Sequence, residues 1–155
     1  MIDALLGAMV EATADDWRVQ QPSRSVHATV IDRARRIPER IRPWAECVIR
    51  RESGGKLSNP QSRADARNGS SSAQGRWQFL DRSWRQNGGI HFVVAKRLRQ
   101  FGMPAADLKP LREYLSDTPI ASWPGEYQDV AFVQVVLSGG WHHWTGHTCD
   151  RLAPR

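Results

Sequence analysis

At 155 residues and 17.6 kDa, the chain has the size of one domain and leaves little room for a second. Its 40% hydrophobic and 25% charged residues are typical of a soluble globular protein, and no stretch approaches the roughly 20 apolar residues of a membrane helix. The net charge of +6 predicts attraction to an anionic nucleic acid, membrane surface or cell-wall polymer, but scattered arginines without a basic helix argue against a nucleic-acid-binding module.

The N-terminal region, residues 1 to 40, predicts a helix followed by a linker. Apolar side chains recur at helical spacing between residues 2 and 20, and the turn-rich QPSRS follows at 21 to 25. These apolar positions are Ile2, Leu5, Leu6, Met9 and Val10. The helix is either a packing element of the same domain or a docking element for a partner. The region lacks the basic leading segment of a secretory signal, so any export is expected to use another route.

A second helix is predicted to begin near Pro43 and to end at Gly54 and Gly55, because proline suits the first turn and glycine the end of a helix. One stripe of this helix is apolar except for its last member, and Trp44 lies beside it. The stripe consists of Ile41, Ala45, Val48, Ile49 and Glu52.

Glu52 is therefore predicted in the last turn of this helix, facing its apolar side. A carboxyl group in apolar surroundings loses hydration, which favours its protonated form, and such a group can donate a proton to a leaving oxygen. The alternative is an ordinary glutamate of an amphipathic helix, which points to solvent or pairs with Arg50, Arg51 or Arg76.

Residues 56 to 76 are rich in Ser, Asn, Gly and Arg and predict loops or short irregular strands. GRWQF, at 75 to 79, is interpreted as a short strand. Asp81 or Ser83 then caps a short helix through Trp84 that stops at two glycines, at 88 and 89.

Three more helices are predicted in the remaining chain. They cover residues 91 to 101, a segment around LREYL within the proline-punctuated stretch 104 to 125, and the apolar run 127 to 137, which glycines end. The pattern predicts a fold that is all or mostly α, with a small irregular β region.

Two features leave alternatives open. Cys47 and Cys149 either form one long-loop disulfide or are two small buried thiols. The run HHWTGHTC holds His142, His143 and His147 beside Cys149, which are zinc-competent residue types. Their spacing matches no standard ligand pairing and no second ligand cluster exists, so neither a metal nor a cofactor is predicted, and the histidines are assigned to a polar groove or the surface.

Three segments occur in order along the chain: WAECVIRRESGG from residue 44, AQGRWQFLDRSWRQNGG from 73, and YQDVAFVQVVLSGGWHHW from 127, followed shortly by a cysteine. Together they resemble the transglycosylase-like domain of resuscitation-promoting factors, within the wider lysozyme-like superfamily. The resemblance covers residues 44 to 89 and 127 to 149. It implies a lysozyme-like α+β fold, mostly α, over residues 41 to 155 and cleavage of peptidoglycan between N-acetylmuramic acid and N-acetylglucosamine.

The chain departs from that family at two places. A segment at about 90 to 124 is longer than the compact family version and is interpreted as an insertion. In the family a cysteine often lies immediately before the catalytic glutamate, where this chain has Arg51. By analogy with the family disulfide, Cys47 and Cys149 are nevertheless expected to lie close together.

The resemblance implies roles for individual residues. Glu52 would be the catalytic acid that protonates the glycosidic oxygen as its bond to C1 of N-acetylmuramic acid breaks. Gln78, which matches the family glutamine, and Gln74 are candidates to hydrogen-bond the sugars, and Asn59 is a further candidate substrate contact.

Four tryptophans have two interpretations, because they can stack on sugar faces or wall off the acid, but large aromatic residues more often pack in a core. Trp77 and Trp84 are the candidate substrate contacts. Trp141 and Trp144 allow the same alternatives.

Most glycosidases need a second carboxylate, and substrate-assisted enzymes are exceptions. The nearest candidates here are Asp65, in a polar loop, and Asp81, which also suits a helix cap. A lytic transglycosylase needs neither, because the C6 hydroxyl of the substrate captures C1 and Glu52 serves as both acid and base. The favoured hypothesis is therefore a lytic transglycosylase; the alternatives are a hydrolysing muramidase or an inactive structural virion protein of the same fold.

The cellular setting is interpreted from the lack of a secretory signal peptide. The protein is expected to be made in the host cytoplasm without a signal peptide and yet to act on the cell wall. This combination predicts a bacteriophage lytic protein for an actinobacterial host. It would be either a released endolysin or a virion-associated tail component, with the N-terminal segment as a candidate contact to other virion proteins.

Overall fold

The computed structural model describes residues 24–146 and 148–154, and this part of the chain is mostly helical with one two-stranded sheet. Its α-helices are α1 (Arg24–Ala34), α2 (Arg42–Ser53), α3 (Ile90–Gln100), α4 (Ala105–Asp117) and α5 (Gly125–Leu137). Its strands are β1 (Ala73–Gln74) and β2 (Phe79–Leu80). Short 3-10 turns lie at Glu39–Ile41, Ile120–Ser122, Gly140–Trp144 and Thr148–Leu152, and a π-helical turn at Arg82–Gln86. No helix in these ranges is long and apolar enough to cross a membrane.

The described part of the N-terminal region packs on the same core as the rest of the chain. The helix predicted at 2 to 20 lies outside the described residues, whereas the predicted linker is helical from Arg24 onward. α1 buries Val30 and Ala34 in the core, and the ring of His27 lies 2.7 Å from the Asp107 carboxylate of α4. Residues 24 to 40 are therefore a packing element.

α2 confirms the predicted helix and its apolar stripe. Pro43 lies in the first turn, and Gly54 ends the helix in the left-handed conformation, with φ of 74°. A residue without a β-carbon adopts this conformation at little cost. The buried side chains of the stripe and its neighbour are Ile41, Trp44, Ala45, Val48 and Ile49.

The predicted strand at 75 to 79 is wrong in its extent. β1 and β2 pair antiparallel, with Ala73 opposite Leu80 and Gln74 opposite Phe79, and residues 75 to 78 form the turn between them. Gly75 has φ of 77°, and a β-carbon there would collide with the side-chain amide oxygen of Gln128. The turn places Trp77 in the core. The sequence around this buried residue therefore has the pattern of a strand, although the residue lies in a turn.

The predicted helix cap at residues 81 to 83 is also wrong. The segment Arg82–Gln86 is a wide π-helical turn, and the side chain of Asp81 makes no capping hydrogen bond. Asp81 instead accepts hydrogen bonds from the Arg85 guanidinium and from the Ile120 amide. Those two contacts join this turn to the segment before α5.

The three C-terminal helices are confirmed. α3 ends before Gly102, α4 continues through an internal Pro110, and α5 is buried on nearly all sides. The segment from 90 to 124, which resembles an insertion, supplies much of the hydrophobic core. Its fully buried side chains include Ile90, Val94, Leu98, Leu111, Leu115 and Ile120.

Cys47 and Cys149 form a disulfide, with their Cα atoms 5.7 Å apart. The predicted proximity is therefore confirmed. The bond joins α2 to the last 3-10 turn across a sequence separation of 102 residues. It fixes the C-terminal segment against the helix that carries Glu52.

Candidate functional site

Glu52 lies in the last turn of α2, and its side chain is 22% exposed. The hairpin turn is held against this helix end by the hydroxyl of Ser53, which donates a hydrogen bond of 2.8 Å to the carbonyl of Arg76. The acid is therefore placed where a helix end meets the turn of the sheet; the sequence predicts the helix end but not its contact with the turn.

The carboxylate of Glu52 pairs with Arg51, which is one of the alternatives left open by the sequence. Arg51 Nε donates to Oε1 at 3.0 Å, and Nη2 donates to the same oxygen and to the carbonyl of Trp144 at 3.1 Å. The other oxygen, Oε2, makes no hydrogen bond to a described residue and is not buried. One oxygen is thus occupied, and the other has no hydrogen-bond partner among the described residues.

Gln78 lies at the end of the hairpin turn, half-buried, in the left-handed conformation with φ of 53°. Its side-chain Nε2 donates to the carbonyl of Gly75 at 2.8 Å, which leaves its amide oxygen without a hydrogen bond in the described chain. The indole of Trp144 donates to the carbonyl of Trp77 at 2.9 Å, immediately before Gln78. Trp144 therefore contacts both the turn of Gln78 and the arginine that holds Glu52.

Trp77 has no exposed face on which a sugar could stack, which corrects the expectation of a substrate contact. It is fully buried, stacks on Phe132 with 3.5 Å between ring centroids, and donates through its indole nitrogen to Asp129 at 2.9 Å. Trp144 is likewise in the core, at 5% exposure. The core alternative is correct for both tryptophans.

Trp84 remains half-exposed. Its ring meets the edge of Phe79 at 5.6 Å and of His143 at 4.8 Å, measured between centroids. Burial and the neighbouring His142 lower the pKa of His143. Trp84 and His143 thus form a small aromatic surface. The ring of His143 contacts that of Trp144 directly, and Trp84 is connected to Trp144 through Phe79.

Gln74 and Asn59 are occupied by structural contacts. The side-chain oxygen of Gln74 accepts a hydrogen bond of 3.1 Å from the amide of Ala121, and that of Asn59 accepts one of 3.0 Å from the amide of Gln61. These contacts hold loops in place, and neither residue has a contact that links it to Glu52. Both stay predictions as substrate contacts.

The two candidate second carboxylates differ. Asp65 is exposed and lines a pocket of about 550 Å³ beside Trp123. Asp81 is 4% exposed and bound by Arg85 and the Ile120 amide. Burial alone would raise the pKa of Asp81, but the hydrogen bonds from Arg85 and Ile120 outweigh it and hold that pKa below its usual value. A second pocket, of about 310 Å³, is lined by Arg35, and Glu52 lines neither pocket.

Behind the hairpin turn, Arg76, Gln128 and Asp129 form a buried polar network that the sequence analysis missed. The fully buried guanidinium of Arg76 donates to the carbonyls of Lys56 and Asn59, both at 2.7 Å. Its Nε lies 3.1 Å from Asp129 Oδ1, close enough for an ion pair but without hydrogen-bond geometry. Burial lowers the pKa of Arg76, and burial raises the pKa of Asp129 to about 6 against the opposing pull of Arg76.

Gln128 completes this network. Its side-chain oxygen accepts from the Arg76 amide at 2.8 Å, and its Nε2 donates to the carbonyls of Ala64, Ile120 and Trp123. One residue therefore ties the hairpin turn to two loops. The adjacent polar pair within the apolar run YQDVAFVQVVL was the signal available in the sequence, because a polar side chain on a buried helix needs internal partners.

Within residues 24–146 and 148–154, no three His, Cys, Asp or Glu side chains are grouped so that they could hold a metal ion. Of the zinc-competent types in HHWTGHTC, Cys149 is in the disulfide and His147 lies outside the described residues.

The chain was compared with models of protein families, with curated proteins and with solved structures. None of the three comparisons found a match.

Proposed function

We propose that this chain is a peptidoglycan-cleaving lytic transglycosylase with a lysozyme-like fold, in which Glu52 is the single general acid and base. The observation that carries the proposal is the half-buried carboxylate at the end of α2, with one free oxygen, beside the turn that bears Gln78. The ordered motifs that resemble the transglycosylase-like domain of resuscitation-promoting factors support the same assignment.

The reaction has two proton transfers. Protonated Glu52 gives its proton to the oxygen that links C1 of N-acetylmuramic acid to the next sugar, and the C1–oxygen bond breaks. The C6 hydroxyl oxygen of the same muramic acid then bonds to C1, and its proton passes to the Glu52 carboxylate. The acid is regenerated, and the products are a 1,6-anhydro sugar and a free hydroxyl group.

A single-carboxylate mechanism fits the surroundings of the two candidate second carboxylates. A nucleophile would lie about 5 Å from the acid, and a water-activating base roughly 6.5 to 9.5 Å from it. Asp81 is engaged by Arg85 and a backbone amide, and Asp65 is exposed in the loop that lines another pocket. Neither has surroundings that mark it as a base.

The substrate is the glycan strand of peptidoglycan. The free amide oxygen of Gln78 can accept a hydrogen bond from an acetamido or hydroxyl group, and Trp84 offers a half-exposed ring for stacking on a sugar face. The net charge of +6 favours adsorption to an anionic cell wall. The proposed setting is a bacteriophage lytic protein, either an endolysin or a virion component.

Mass spectrometry of muropeptides released from purified sacculi tests the proposal. The expected products end in 1,6-anhydro-N-acetylmuramic acid and are lighter by one water than the reducing-end products of a lysozyme. Reducing-end products instead would identify a hydrolysing muramidase. Sacculi incubated with the Glu52→Gln variant provide the control.

The second candidate is a non-catalytic virion protein of the same fold. It is favoured by the ion pair between Arg51 and Glu52, because a carboxylate that serves only to bind an arginine needs no substrate. In that case wild-type protein releases no muropeptides of either kind.

A further inference from the structure

Arg51 connects the candidate acid to the C-terminal segment. Its Nε and Nη2 both donate to Glu52 Oε1, and Nη2 also donates to the carbonyl of Trp144. The side chain is only 21% exposed, so these contacts are partly shielded from water. Charge-assisted hydrogen bonds from a planar guanidinium fix the orientation of a carboxylate as well as its charge.

The two oxygens of Glu52 are consequently not equivalent. Both donors of Arg51 reach Oε1, whereas Oε2 makes no hydrogen bond in the described chain and is not buried. An oxygen that already accepts from a cation is a poor place for a proton. We propose that Arg51 is the positioning residue of the proposed reaction, which rests on the assigned role of Glu52: it makes Oε2 the oxygen that delivers and recovers the proton, and it stabilises the carboxylate formed in between.

The guanidinium is held independently of Glu52. The Trp144 carbonyl that accepts from Arg51 belongs to a residue whose indole is bonded to the Trp77 carbonyl at 2.9 Å. Cys47 precedes Arg51 by four residues, so it lies on the same face of α2, and its disulfide to Cys149 fixes the following segment. The orientation of the donors is therefore set before substrate binds, as electrostatic preorganisation requires.

The proposed effect is on turnover rather than on binding. Negative charge appears on Glu52 only as the proton leaves, so the interaction with Arg51 is stronger in the transition state than in the bound substrate complex. An interaction of that kind raises kcat without lowering KM.

The test uses Arg51→Gln, Arg51→Lys and the matched control Arg50→Gln. Arg50 is the exposed neighbour on the same helix, and its side chain makes no hydrogen bond or ion pair in the described part of the chain. With a soluble peptidoglycan oligosaccharide as substrate, Arg51→Gln is expected to lower kcat about 10- to 100-fold, the size expected for a hydrogen bond to a charged group, with KM within about twofold. Arg51→Lys should lose less, because it keeps the charge but not the planar fork. Arg50→Gln should match wild type.

Free guanidinium provides a second readout. Millimolar guanidinium is expected to restore part of the kcat of Arg51→Ala, which a loss of structure would not allow. A folded Arg51→Gln variant with the kcat of Arg50→Gln, or with its defect confined to KM, overturns the inference. Should Arg51→Gln fail to fold, an unchanged kcat in folded Arg51→Lys overturns it instead.

The same assays separate this inference from the proposed function. An inactive Glu52→Gln together with a fully active Arg51→Gln rejects only the role of Arg51. An active Glu52→Gln rejects the assignment of Glu52, and the role of Arg51 with it.

Discussion

Two groups of charged side chains adjoin the hairpin turn at residues 75 to 78. In the candidate site, Glu52 is paired with Arg51 but keeps one oxygen free and partly exposed. In the buried polar network, the Arg76 guanidinium and the Asp129 carboxylate are almost fully buried and pair with each other, although Asp129 also lines the pocket of about 310 Å³ beside Arg35. Burial with internal partners favours a structural role, whereas a partly satisfied group at the surface is available for chemistry.

The largest effect is expected at the candidate site, where one substitution should remove activity without affecting the fold. Glu52→Gln keeps the size and polarity of the side chain but cannot transfer a proton, so wall cleavage should fall about 10²- to 10⁴-fold. The thermal unfolding midpoint should stay near wild type, because Glu52 is not part of the core. Turnover is measured from muropeptide release and folding by circular dichroism. A folded variant with wild-type turnover would contradict the assignment of Glu52.

The next effect concerns the disulfide that holds the C-terminal segment against α2. Replacing both cysteines, Cys47→Ala with Cys149→Ala, should lower the free energy of unfolding by about 2–4 kcal/mol, because the unfolded chain gains freedom. Hydrogen exchange should quicken most for amides between 140 and 152, whereas the Arg76 amide, bonded to Gln128, should stay protected. Dithiothreitol should reproduce this result in wild type and leave the double variant unchanged. Equal stability of oxidised and reduced wild type would exclude the predicted stabilisation.

Much of the helical framework could be predicted because its signals are local. Pro43 and Gly54 mark the ends of α2, and the apolar stripe between them marks its buried face. The turn at Gly75 is not predictable in the same way, since it depends on a close approach to Gln128, which lies far away along the chain. Such long-range contacts leave no local periodicity.

The candidate site was predictable only in part, for the same reason. Glu52 could be placed from the helix end, but that Arg51 also binds the Trp144 carbonyl depends on how distant segments pack. Trp77 shows the limit of residue type as a guide. A tryptophan ring also suits a sugar-binding surface, although it more often packs in a core, and the stacking on Phe132 decides for the core here. The proximity of the cysteines came from the family resemblance rather than from their spacing.

A third effect is expected from the buried polar network. Burial raises the pKa of Asp129 from 3.8 to about 6, so between these values the folded protein holds a proton that the unfolded chain has released. The free energy of unfolding should therefore decrease as the pH rises from about 4 to about 6, by at most about 3 kcal/mol.

Urea unfolding of wild type and Asp129→Asn across this pH range measures the contribution of Asp129. The variant should be less stable at neutral pH, since Arg76 loses its charged partner, but its stability should depend less steeply on pH. The same slope in both proteins would mean that Asp129 does not titrate in this window.

The smallest effect is expected from neutralising the candidate second carboxylates, which a hydrolysing muramidase needs and a lytic transglycosylase does not. Asp65→Asn should leave turnover within about threefold of wild type, because an exposed loop carboxylate has no part in a single-acid reaction. Asp81→Asn should lower stability, since it removes the charge that Arg85 and the Ile120 amide bind, but the folded variant should also keep substantial activity. Assays below the unfolding midpoint of each variant separate the two effects. If either variant is folded and as inactive as Glu52→Gln, a second carboxylate takes part in the reaction, and hydrolysis with a water-activating base replaces anhydro-sugar formation as the explanation.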